Sequence, residues 1–237
     1  MKKAIVIGAT SGIGRELAML LADDGYCVGI TGRRVELLDE LKTVKENFIV
    51  KAFDVTKTES VVENLEQLVT ELGGLDLLII SAGTGNLNGN FDFALEQPAI
   101  TTNVVGFTRV CDWALHFFEQ QKYGHLVAIS SIAGLRGSRI APAYNASKAY
   151  QINYLEAARQ KTASLKLPIF ITDIRPGLVD TAMAKGNGLF WVAPAKKAAK
   201  QIIKAISKKK KVAYVTKRWR LLAILLQLLP KMIYDKF

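Results

Sequence analysis

Tyr144 and Lys148 stand four residues apart in the stretch AYNASKAY (143–150) of this 237-residue chain, and their types suggest proton transfer. Side chains four residues apart lie on one face of a helix, so the lysine ammonium can approach the phenol oxygen. A free tyrosine has a pKa of about 10, which is too high for easy proton exchange near neutral pH. A nearby cation stabilises the phenolate, so the pair predicts a lowered pKa for Tyr144 and a general acid/base. Two side chains that merely share a helix face are the alternative.

A glycine-rich turn, GATSGIG (8–14), joins the first predicted strand to the first predicted helix. A dinucleotide pyrophosphate bound at such a turn needs close backbone approach, free N–H donors and the positive end of a helix. Gly8, Gly12 and Gly14 lack the Cβ atoms that would obstruct this approach, and Thr10 and Ser11 add hydroxyl donors. The turn lacks the Gly-Lys-Ser/Thr of a P-loop, so nucleotide hydrolysis is not indicated. A tight glycine turn without a ligand is the alternative to dinucleotide binding.

Two arginines follow the second predicted strand, in TGRR (31–34). An NAD-binding protein usually offers Asp or Glu to the ribose hydroxyls at this point, whereas a guanidinium group suits a 2′-phosphate. We therefore expect NADP(H) rather than NAD(H), with Arg33 as the main contact and Arg34 as the second. Two solvated arginines at the start of a helix are the alternative.

Alternating apolar strands and amphipathic helices are predicted to position these residues. We expect strands at 4–9, 27–32, 48–55, 75–83, 125–131, 168–177 and 211–216, and helices at 14–25, 35–45, 59–73, 97–121 and 142–163. Apolar strands that alternate with helices favour a parallel sheet of about seven strands, covered on both faces. Right-handed crossovers make this a doubly wound α/β fold that binds ligands at the carboxyl ends of its strands. We expect one domain over residues 1–237.

Composition limits the possible compartments and function classes. Hydrophobic residues make up 50% of the chain, which is enough for a substantial core. The two cysteines, Cys27 and Cys111, lie among apolar neighbours, which indicates buried thiols rather than a disulfide framework. The apolar run before Gly8 is too short for a signal peptide. We therefore expect a cytoplasmic protein.

The glycine turn, SAG (81–83), ISS (129–131) and YNASK (144–148) occur in this order, and together they resemble the short-chain dehydrogenase/reductase family. The resemblance covers residue 4 to about residue 181. Asn103 stands forty-one residues before Tyr144, and Ser131 stands thirteen before it, as in the family's Asn-Ser-Tyr-Lys tetrad. The resemblance implies a Rossmann fold, a nicotinamide cofactor, and a homodimer or homotetramer built on the two long helices.

The resemblance also implies a role for each member of the tetrad. Tyr144 would be the acid/base, and Lys148 would also hold the nicotinamide ribose. Ser131 would hydrogen-bond the substrate oxygen, and Asn103 would order a water that relays protons. In the reductive direction, hydride would pass from the nicotinamide to a carbonyl carbon while Tyr144 protonates the oxygen.

Further cofactor contacts are implied by the same resemblance. They lie in the glycine turn, near the adenine, after the fourth strand and around the nicotinamide amide: Ile13, Asp54, Val55, Ala82, Gly83, Pro176, Gly177, Val179 and Thr181. For Asp54, a place near the start of a helix is the alternative. The chain departs from the family at ISAG (80–83), where Asn-Asn-Ala-Gly is usual, so hydrogen bonding near Ile80 and Ser81 is in doubt.

Two histidines and an aromatic stripe are interpreted as structural. His116 and His125 have no partner at metal-ligand spacing, so we expect no metal site. Trp113, Phe117 and Phe118 are spaced as on one helix face, which indicates core or subunit interface.

The net charge of +11 belongs to the C-terminal segment. Thr181 to Tyr234 holds thirteen of the 32 Lys and Arg residues and no Asp or Glu, which leaves 19 basic and 21 acidic residues elsewhere. The segment after Thr181 is short for a substrate lid, which suits an open site.

Residues 217–237 then combine an apolar run with basic residues at both ends. Leu221 to Leu229 holds eight apolar residues of nine, while a bilayer span needs about 20. The pattern is typical of interfacial helices. Three interpretations remain open: a tail helix packed on the core or a partner subunit, peripheral docking on the inner face of an anionic membrane, and nucleic-acid binding, which the scarcity of aromatics disfavours.

These motifs predict an NADPH-dependent carbonyl reductase or alcohol dehydrogenase that acts on a small-molecule carbonyl or alcohol. The alternative, from a different class, is a catalytically idle nucleotide-binding protein that serves as a sensor or membrane adaptor. A complete tetrad argues against a protein without catalytic activity.

Overall fold

The computed structural model describes residues 1–184 and 190–235. Within them the strands are Lys3–Ile7 (β1), Cys27–Gly32 (β2), Phe48–Ala52 (β3), Leu77–Ile80 (β4), Gly124–Ile129 (β5), Ile169–Pro176 (β6), Val179–Asp180 (β7), Ala193–Pro194 (β8) and Val212–Val215 (β9). The α-helices are Gly12–Asp23 (α1), Val35–Val44 (α2), Thr58–Leu72 (α3), Phe93–Ile100 (α4), Phe107–Gln121 (α5), Pro142–Ser164 (α6), Ala195–Ser207 (α7), Trp219–Leu228 (α8) and Lys231–Tyr234 (α9).

The main sheet has seven strands in the order β3-β2-β1-β4-β5-β6-β9, and each neighbouring pair is parallel. The strand order reverses between β1 and β4. Such a switch point leaves a crevice beyond the carboxyl ends of the strands. The predicted doubly wound α/β fold is confirmed.

The core lies on both faces of this sheet, because successive residues of a strand point to opposite sides. In β1, Ala4 and Val6 pack with residues of α1, α2 and α7 on one face. Ile5 and Ile7 pack with residues of α3, α5 and α6 on the other face. The near-continuous apolar strands of the sequence follow from this two-sided burial.

Six of the seven predicted strands end one to three residues earlier than expected, and residues released after two of them line the crevice. The strand predicted at 75–83 ends at Ile80, and the strand predicted at 125–131 ends at Ile129. The unusual Ser81 still donates its backbone N–H to Ile7 O at 2.8 Å, so the departure from the family pattern does not interrupt the sheet there.

The helix predicted at 97–121 is a longer helical run with a change of winding. It starts in α4, passes through a π-helical turn at Thr101–Gly106 and continues as α5. Asn103 lies in this π-helical turn. Such turns insert one extra residue into a helix and are frequent at functional sites.

The C-terminal part of the chain adds a short parallel pair, β7 with β8, then α7 against α1, and the edge strand β9. Residues 185–189, which belong to the segment interpreted as short for a lid, lie outside the described residues. Within the described parts of the chain, none of the helices combines the length and the apolar character needed to cross a bilayer.

Candidate active site

The glycine turn between β1 and α1 is packed so closely that larger residues would not fit. Gly8 has a φ of +87°, and a Cβ atom there would lie 2.6 Å from the backbone nitrogen of Ala82. A Cβ atom on Gly14 would lie 2.1 Å from the carbonyl oxygen of Gly8. Glycine is the residue that tolerates such approach. The turn is therefore a backbone cradle at the carboxyl ends of β1 and β4.

The N-terminus of α1 opens onto this cradle. Ser11 is the N-cap residue, but its hydroxyl makes no cap hydrogen bond to the helix. It accepts a hydrogen bond from Arg34 Nη2 at 2.8 Å instead. Without a side-chain cap, the first N–H groups of a helix and its dipole attract an anion. The cradle and this helix end fit a dinucleotide pyrophosphate.

The two arginines after β2 occupy different positions. Arg34 Nη2 also donates to Thr10 Oγ1 at 2.6 Å, so this guanidinium braces the glycine turn. The Arg33 side chain is 70% exposed, and its Nη1 lies 3.8 Å from Asp54 Oδ2. An exposed ion pair of this length contributes little stability, so Arg33 can turn towards an added phosphate.

Asp54 has a local structural role as well. Its Oδ1 accepts a hydrogen bond from the backbone N–H of Thr56 at 2.9 Å, two residues before α3 begins. This is the helix-start role weighed as the alternative to an adenine contact. Because Asp54 also lines the cleft beside Val55, the structural role leaves it available to a ligand.

A cleft of about 750 Å³ connects the glycine turn to Tyr144. The predicted site residues that line it are Gly8, Thr10, Ser11, Gly12, Ile13, Arg33, Arg34, Asp54, Val55, Ala82, Gly83, Ser131, Tyr144, Lys148, Pro176, Gly177, Val179 and Thr181. Two others lie behind its wall: Gly14 is buried in α1, and Asn103 is fully buried. Residues far apart in sequence thus meet at one edge of the sheet.

Tyr144 lies in the first turn of α6, where its ring packs against Gly85. A Cβ atom on Gly85 would lie 2.4 Å from Cδ2 of that ring. Burial raises the pKa of Tyr144 above its ordinary value, and the hydrogen bond with the Ser131 side chain only partly opposes this. The sequence-based expectation of a lowered pKa is wrong, because the loss of water penalises the phenolate more than its neighbours stabilise it.

The Lys148 amine lies beside the Tyr144 ring, but it donates its hydrogen bonds to other acceptors. Its Nζ donates to Ile129 O at 2.9 Å and to Gln151 Oε1 at 3.0 Å, and it lies 5.9 Å from the centre of the Tyr144 ring. Burial lowers the pKa of Lys148 to about 8, although Asp173 acts in the opposite direction. The lysine therefore loses part of its charge near pH 8, which weakens its effect on the tyrosine.

Asn103 uses its side chain to fix the loop after β4. Its Oδ1 accepts from Thr84 N at 2.9 Å, and its Nδ2 donates to Thr84 O at 2.7 Å and to Ser147 Oγ at 3.0 Å. The π-helical turn places this amide between the loop and α6.

Gln151 is a site residue that the sequence analysis did not identify. It is buried, accepts from Lys148 Nζ at 3.0 Å and donates through Nε2 to Asn103 O at 2.9 Å. It thus joins two members of the predicted tetrad directly. Helical spacing could have identified it, because Gln151 follows Lys148 by three residues and Tyr144 by seven, on the same face of α6.

The C-terminal segment also contributes to the wall of the cleft, through Trp219, Leu226 and Tyr234. A Cβ atom on Gly177 would lie 2.1 Å from Cδ2 of Trp219, so the indole packs directly on the backbone at Gly177. Trp219 Nε1 is buried without a hydrogen-bond partner among the described residues. The site is less open on this side than the sequence predicted.

The two histidines lie away from the cleft. His125 is buried in β5, with Nε2 at 2.8 Å from Thr172 Oγ1. His116 is exposed on α5, with Nδ1 at 2.8 Å from Asp112 O. In the described ranges, no group of three or more His, Cys, Asp and Glu side chains is arranged to hold a metal ion.

The aromatic stripe of α5 belongs mainly to the core. Trp113 and Phe118 are buried, and Phe117 stacks on Trp113 with ring centres 5.3 Å apart. Trp113 Nε1 donates to Glu66 Oε1 on α3. The core interpretation of this stripe is the one that the structure supports.

Comparison with known proteins identifies relatives over most of the chain. The sequence profile of the family described as short chain dehydrogenase matches residues 2–189. An uncharacterized oxidoreductase of Myxococcus xanthus is 35% identical over 192 residues, covering 78% of this chain and 75% of the relative. An uncharacterized oxidoreductase of Mycobacterium tuberculosis is 30% identical over 247 residues, covering 100% of this chain and 97% of the relative.

Solved structures share the fold at lower sequence identity. A variant of actinorhodin polyketide ketoreductase, solved with NADPH, has a TM-score of 0.80 and 23% identity, covering 90% of this chain and 95% of that protein. ElxO, solved with NADP bound, has a TM-score of 0.79 and 24% identity, covering 90% and 96%.

The buried ammonium group predicts a pH dependence of stability. The folded-state pKa of Lys148 is about 8, below the ordinary value of 10.5. Between these pH values the unfolded chain binds more protons than the folded chain, so the lysine's contribution to the free energy of unfolding rises with pH. In Lys148→Met this rise disappears. We expect the difference in unfolding free energy, variant minus wild type, to fall by about 2 kcal/mol between about pH 7 and pH 9.5.

Urea unfolding at a series of pH values measures this difference. Lys196→Met, at an exposed position of α7, is the matched control and should show no such trend. A difference that stays constant with pH for Lys148→Met would contradict the lowered pKa.

Proposed function

The chain belongs to the short chain dehydrogenase family, and from that premise we propose that it is an NADP(H)-dependent oxidoreductase. It would transfer hydride between the nicotinamide and the carbonyl or hydroxyl carbon of a small molecule, with Tyr144 as general acid/base. The observation that carries the proposal is the common cleft, in which Ser131, Tyr144 and Lys148 meet the backbone cradle of the glycine turn.

The cofactor follows from the family and from the charges beside the cradle. Enzymes of this family use nicotinamide cofactors. Gly8, Gly12 and the N-terminus of α1 would hold the pyrophosphate, and Arg33 would bind the 2′-phosphate of NADP(H). The NADPH and NADP of the two solved structures with the same fold are consistent with this choice.

Tyr144 and Ser131 would act on the substrate oxygen. When bound, the nicotinamide supplies or accepts the hydride. Tyr144 would donate its hydroxyl proton to the substrate oxygen in reduction, and Ser131 would hydrogen-bond the same oxygen. The raised pKa of Tyr144 keeps the phenol protonated near neutral pH. A protonated phenol can serve as the general acid in the reductive direction, because a general acid must hold its proton before the step.

Lys148 would act by position and by partial charge. Its hydrogen bonds to Ile129 O and Gln151 Oε1 fix the amine beside the tyrosine. From this place it would hold the nicotinamide ribose. The buried chain from Lys148 through Gln151 to Asn103 O supports a positioning role for Gln151, next to the residue for which the family resemblance implies the ordering of a water.

Removing the tyrosine hydroxyl tests the function. Tyr144→Phe should lower kcat at least about a hundredfold, because general acid catalysis typically contributes that much. NADPH binding should be nearly unchanged, since the glycine cradle is intact. The measurements are NADPH consumption with a panel of ketones, aldehydes, quinones, keto-sugars and steroids, and NADPH affinity by fluorescence.

Turnover by Tyr144→Phe at the wild-type rate would refute the assigned role. Wild-type protein that binds NADPH but reduces nothing in the panel would favour the idle nucleotide-binding protein.

Removing one guanidinium tests the cofactor preference. Arg33→Ala should raise the Kd for NADPH by at least about tenfold and leave the Kd for NADH unchanged, because only NADPH carries the 2′-phosphate. Arg220→Ala removes the same charge from an exposed position outside the cleft and is the control. Equal Kd values for NADPH and NADH in the wild type would reject the preference.

A homodimer or homotetramer is the second part of the proposal. The helices α4 to α6 and their π-helical turn leave apolar side chains exposed: Ile100 at 39%, Val105 at 46% and Tyr150 at 37%. An exposed apolar surface of this kind favours a contact between copies.

Val105→Glu should shift the protein towards monomer, because burying an unpaired carboxylate is costly. Sedimentation equilibrium measures this against the chain mass of 26.0 kDa. Val44→Glu, at an exposed position of α2, is the control and should leave the mass unchanged. A monomeric wild type would contradict the proposal.

A further inference from the structure

The C-terminal residues 217–235, called the tail below, are fixed to the body of the protein by one face of α8. Trp219 is 3% exposed and Ala223 is fully buried. Arg136 donates through Nε to Leu226 O at 2.8 Å and through Nη2 to Leu229 O. The tail is thus packed against the body of the protein in a defined orientation.

The opposite face of α8 is apolar and exposed to solvent. Leu221, Ile224, Leu225 and Leu228 are 74%, 41%, 58% and 75% exposed, and Met232 in α9 is 83% exposed. In α8 these residues are spaced by three and four positions, so they form one stripe. We call the five residues the apolar stripe. Contiguous exposed apolar surface is uncommon without a partner.

Four cations surround the apolar stripe: Lys217, Arg218, Arg220 and Lys231, all exposed. The tail contains no acidic residue before Asp235. Among the ion pairs formed by the described residues, none includes any of these four side chains. The partner that covers the stripe should therefore be apolar and carry negative charge.

Two further aromatic side chains are exposed beside the start of α8. Phe190 is 53% exposed and Trp191 is 46% exposed. The ring centre of Trp191 lies 5.7 Å from that of Trp219 and 5.2 Å from Arg218 Cζ. Tryptophan rings beside basic residues are typical of the boundary between lipid headgroups and acyl chains.

The positive charge around the apolar stripe distinguishes between two possible partners, a second copy of the chain and an anionic bilayer. A second copy of the chain in a two-fold contact would place the four cations of one tail against those of the other, with no acid to pair them. An anionic bilayer accepts the apolar stripe below its headgroups and the cations at its surface. We propose that the tail docks on the surface of an anionic bilayer, with the apolar stripe inserted at the headgroup boundary.

Docking in this orientation also indicates the substrate class, an inference that rests on the proposed oxidoreductase function. The inner face of the same helix gives Trp219 and Leu226 to the wall of the cleft that contains Tyr144. One helix therefore separates the cleft from the membrane surface. The substrate class is a carbonyl compound that dissolves in the bilayer, with its carbonyl group reaching Tyr144.

Vesicle flotation with the full chain tests the docking without any catalytic step. The vesicles contain phosphatidylcholine with about one third phosphatidylglycerol, or phosphatidylcholine alone. The wild type should float with the anionic vesicles only, and more weakly as salt rises. The triple variant Leu221→Gln, Leu225→Gln, Leu228→Gln should lose at least about tenfold in vesicle affinity. Its substitutions are at exposed positions outside the cleft, so NADPH affinity should be retained.

Matched charge variants test the location of the contact. Arg220→Gln with Lys231→Gln should lower vesicle affinity about tenfold at low salt. Lys196→Gln with Lys200→Gln removes the same charge from α7 and should have little effect.

Three outcomes would overturn the proposal. The first is a wild type that does not float. The second is an equal loss of vesicle affinity in the two double charge variants, which would mean that the vesicles attract a basic protein non-specifically. The third is a leucine triple that binds vesicles normally but sediments with a lower mass than the wild type, which would assign the stripe to a contact between copies.

A second measurement separates this proposal from the proposed function. For a long-chain ketone, anionic vesicles should raise the kcat/KM of the wild type several-fold and that of the leucine triple not at all. A short, water-soluble ketone is the control. A wild type that floats but reduces no ketone would overturn the function and keep the docking. A wild type that reduces ketones but never floats would overturn the docking and keep the function.

Discussion

The buried ammonium group of Lys148 is the constraint on which the site depends. Removing a lysine charge from water is unfavourable, and the lowered pKa records that cost. Two acceptors, Ile129 O at the end of β5 and Gln151 on α6, hold the group in place. The Gln151 acceptor lies on the same helix as Lys148, but Ile129 O is within reach only when the sheet edge and α6 are packed together. The amine beside Tyr144 is therefore a product of the whole doubly wound architecture, and α6 alone would leave it in solvent.

Close backbone packing provides the other half of the cleft. The contacts of Gly8 and Gly14 bring the turn after β1 against the segment after β4. The same segment then continues to Thr84, where the side chain of Asn103 holds it. The glycine cradle and Tyr144 are thus connected through one loop, which is anchored at both ends. This arrangement explains why the π-helical turn that carries Asn103 lies behind the cleft wall and not on its surface.

Much of the fold and of the cleft could be predicted from the sequence, because the patterns that specify them are short-range. Apolar strands, the glycine turn and the spacing of Tyr144 from Lys148 are short-range patterns, and parallel strands must align their carboxyl ends. The direction of the Tyr144 pKa could not be predicted, because it depends on burial and on which acceptors hold Lys148. Helical spacing places Gln151 on the same face of α6 as Lys148, but its hydrogen bond to Asn103 O depends on the packing of segments far apart in the sequence. The tail's contribution to the cleft depends on long-range packing of Trp219 on Gly177.

That last contact couples the two parts of the chain. The family profile ends at residue 189, and α8 lies beyond it. A Cβ atom at Gly177 would overlap the Trp219 ring, so the indole and the turn after β6 cannot move independently. Gly177 lines the cleft on the side where the nicotinamide is proposed to bind. A partner that displaced α8 would therefore also displace Trp219 from Gly177. The segment outside the family profile can therefore shape one wall of the cleft, while Tyr144 and Lys148 are held on the other side by α6 and the sheet.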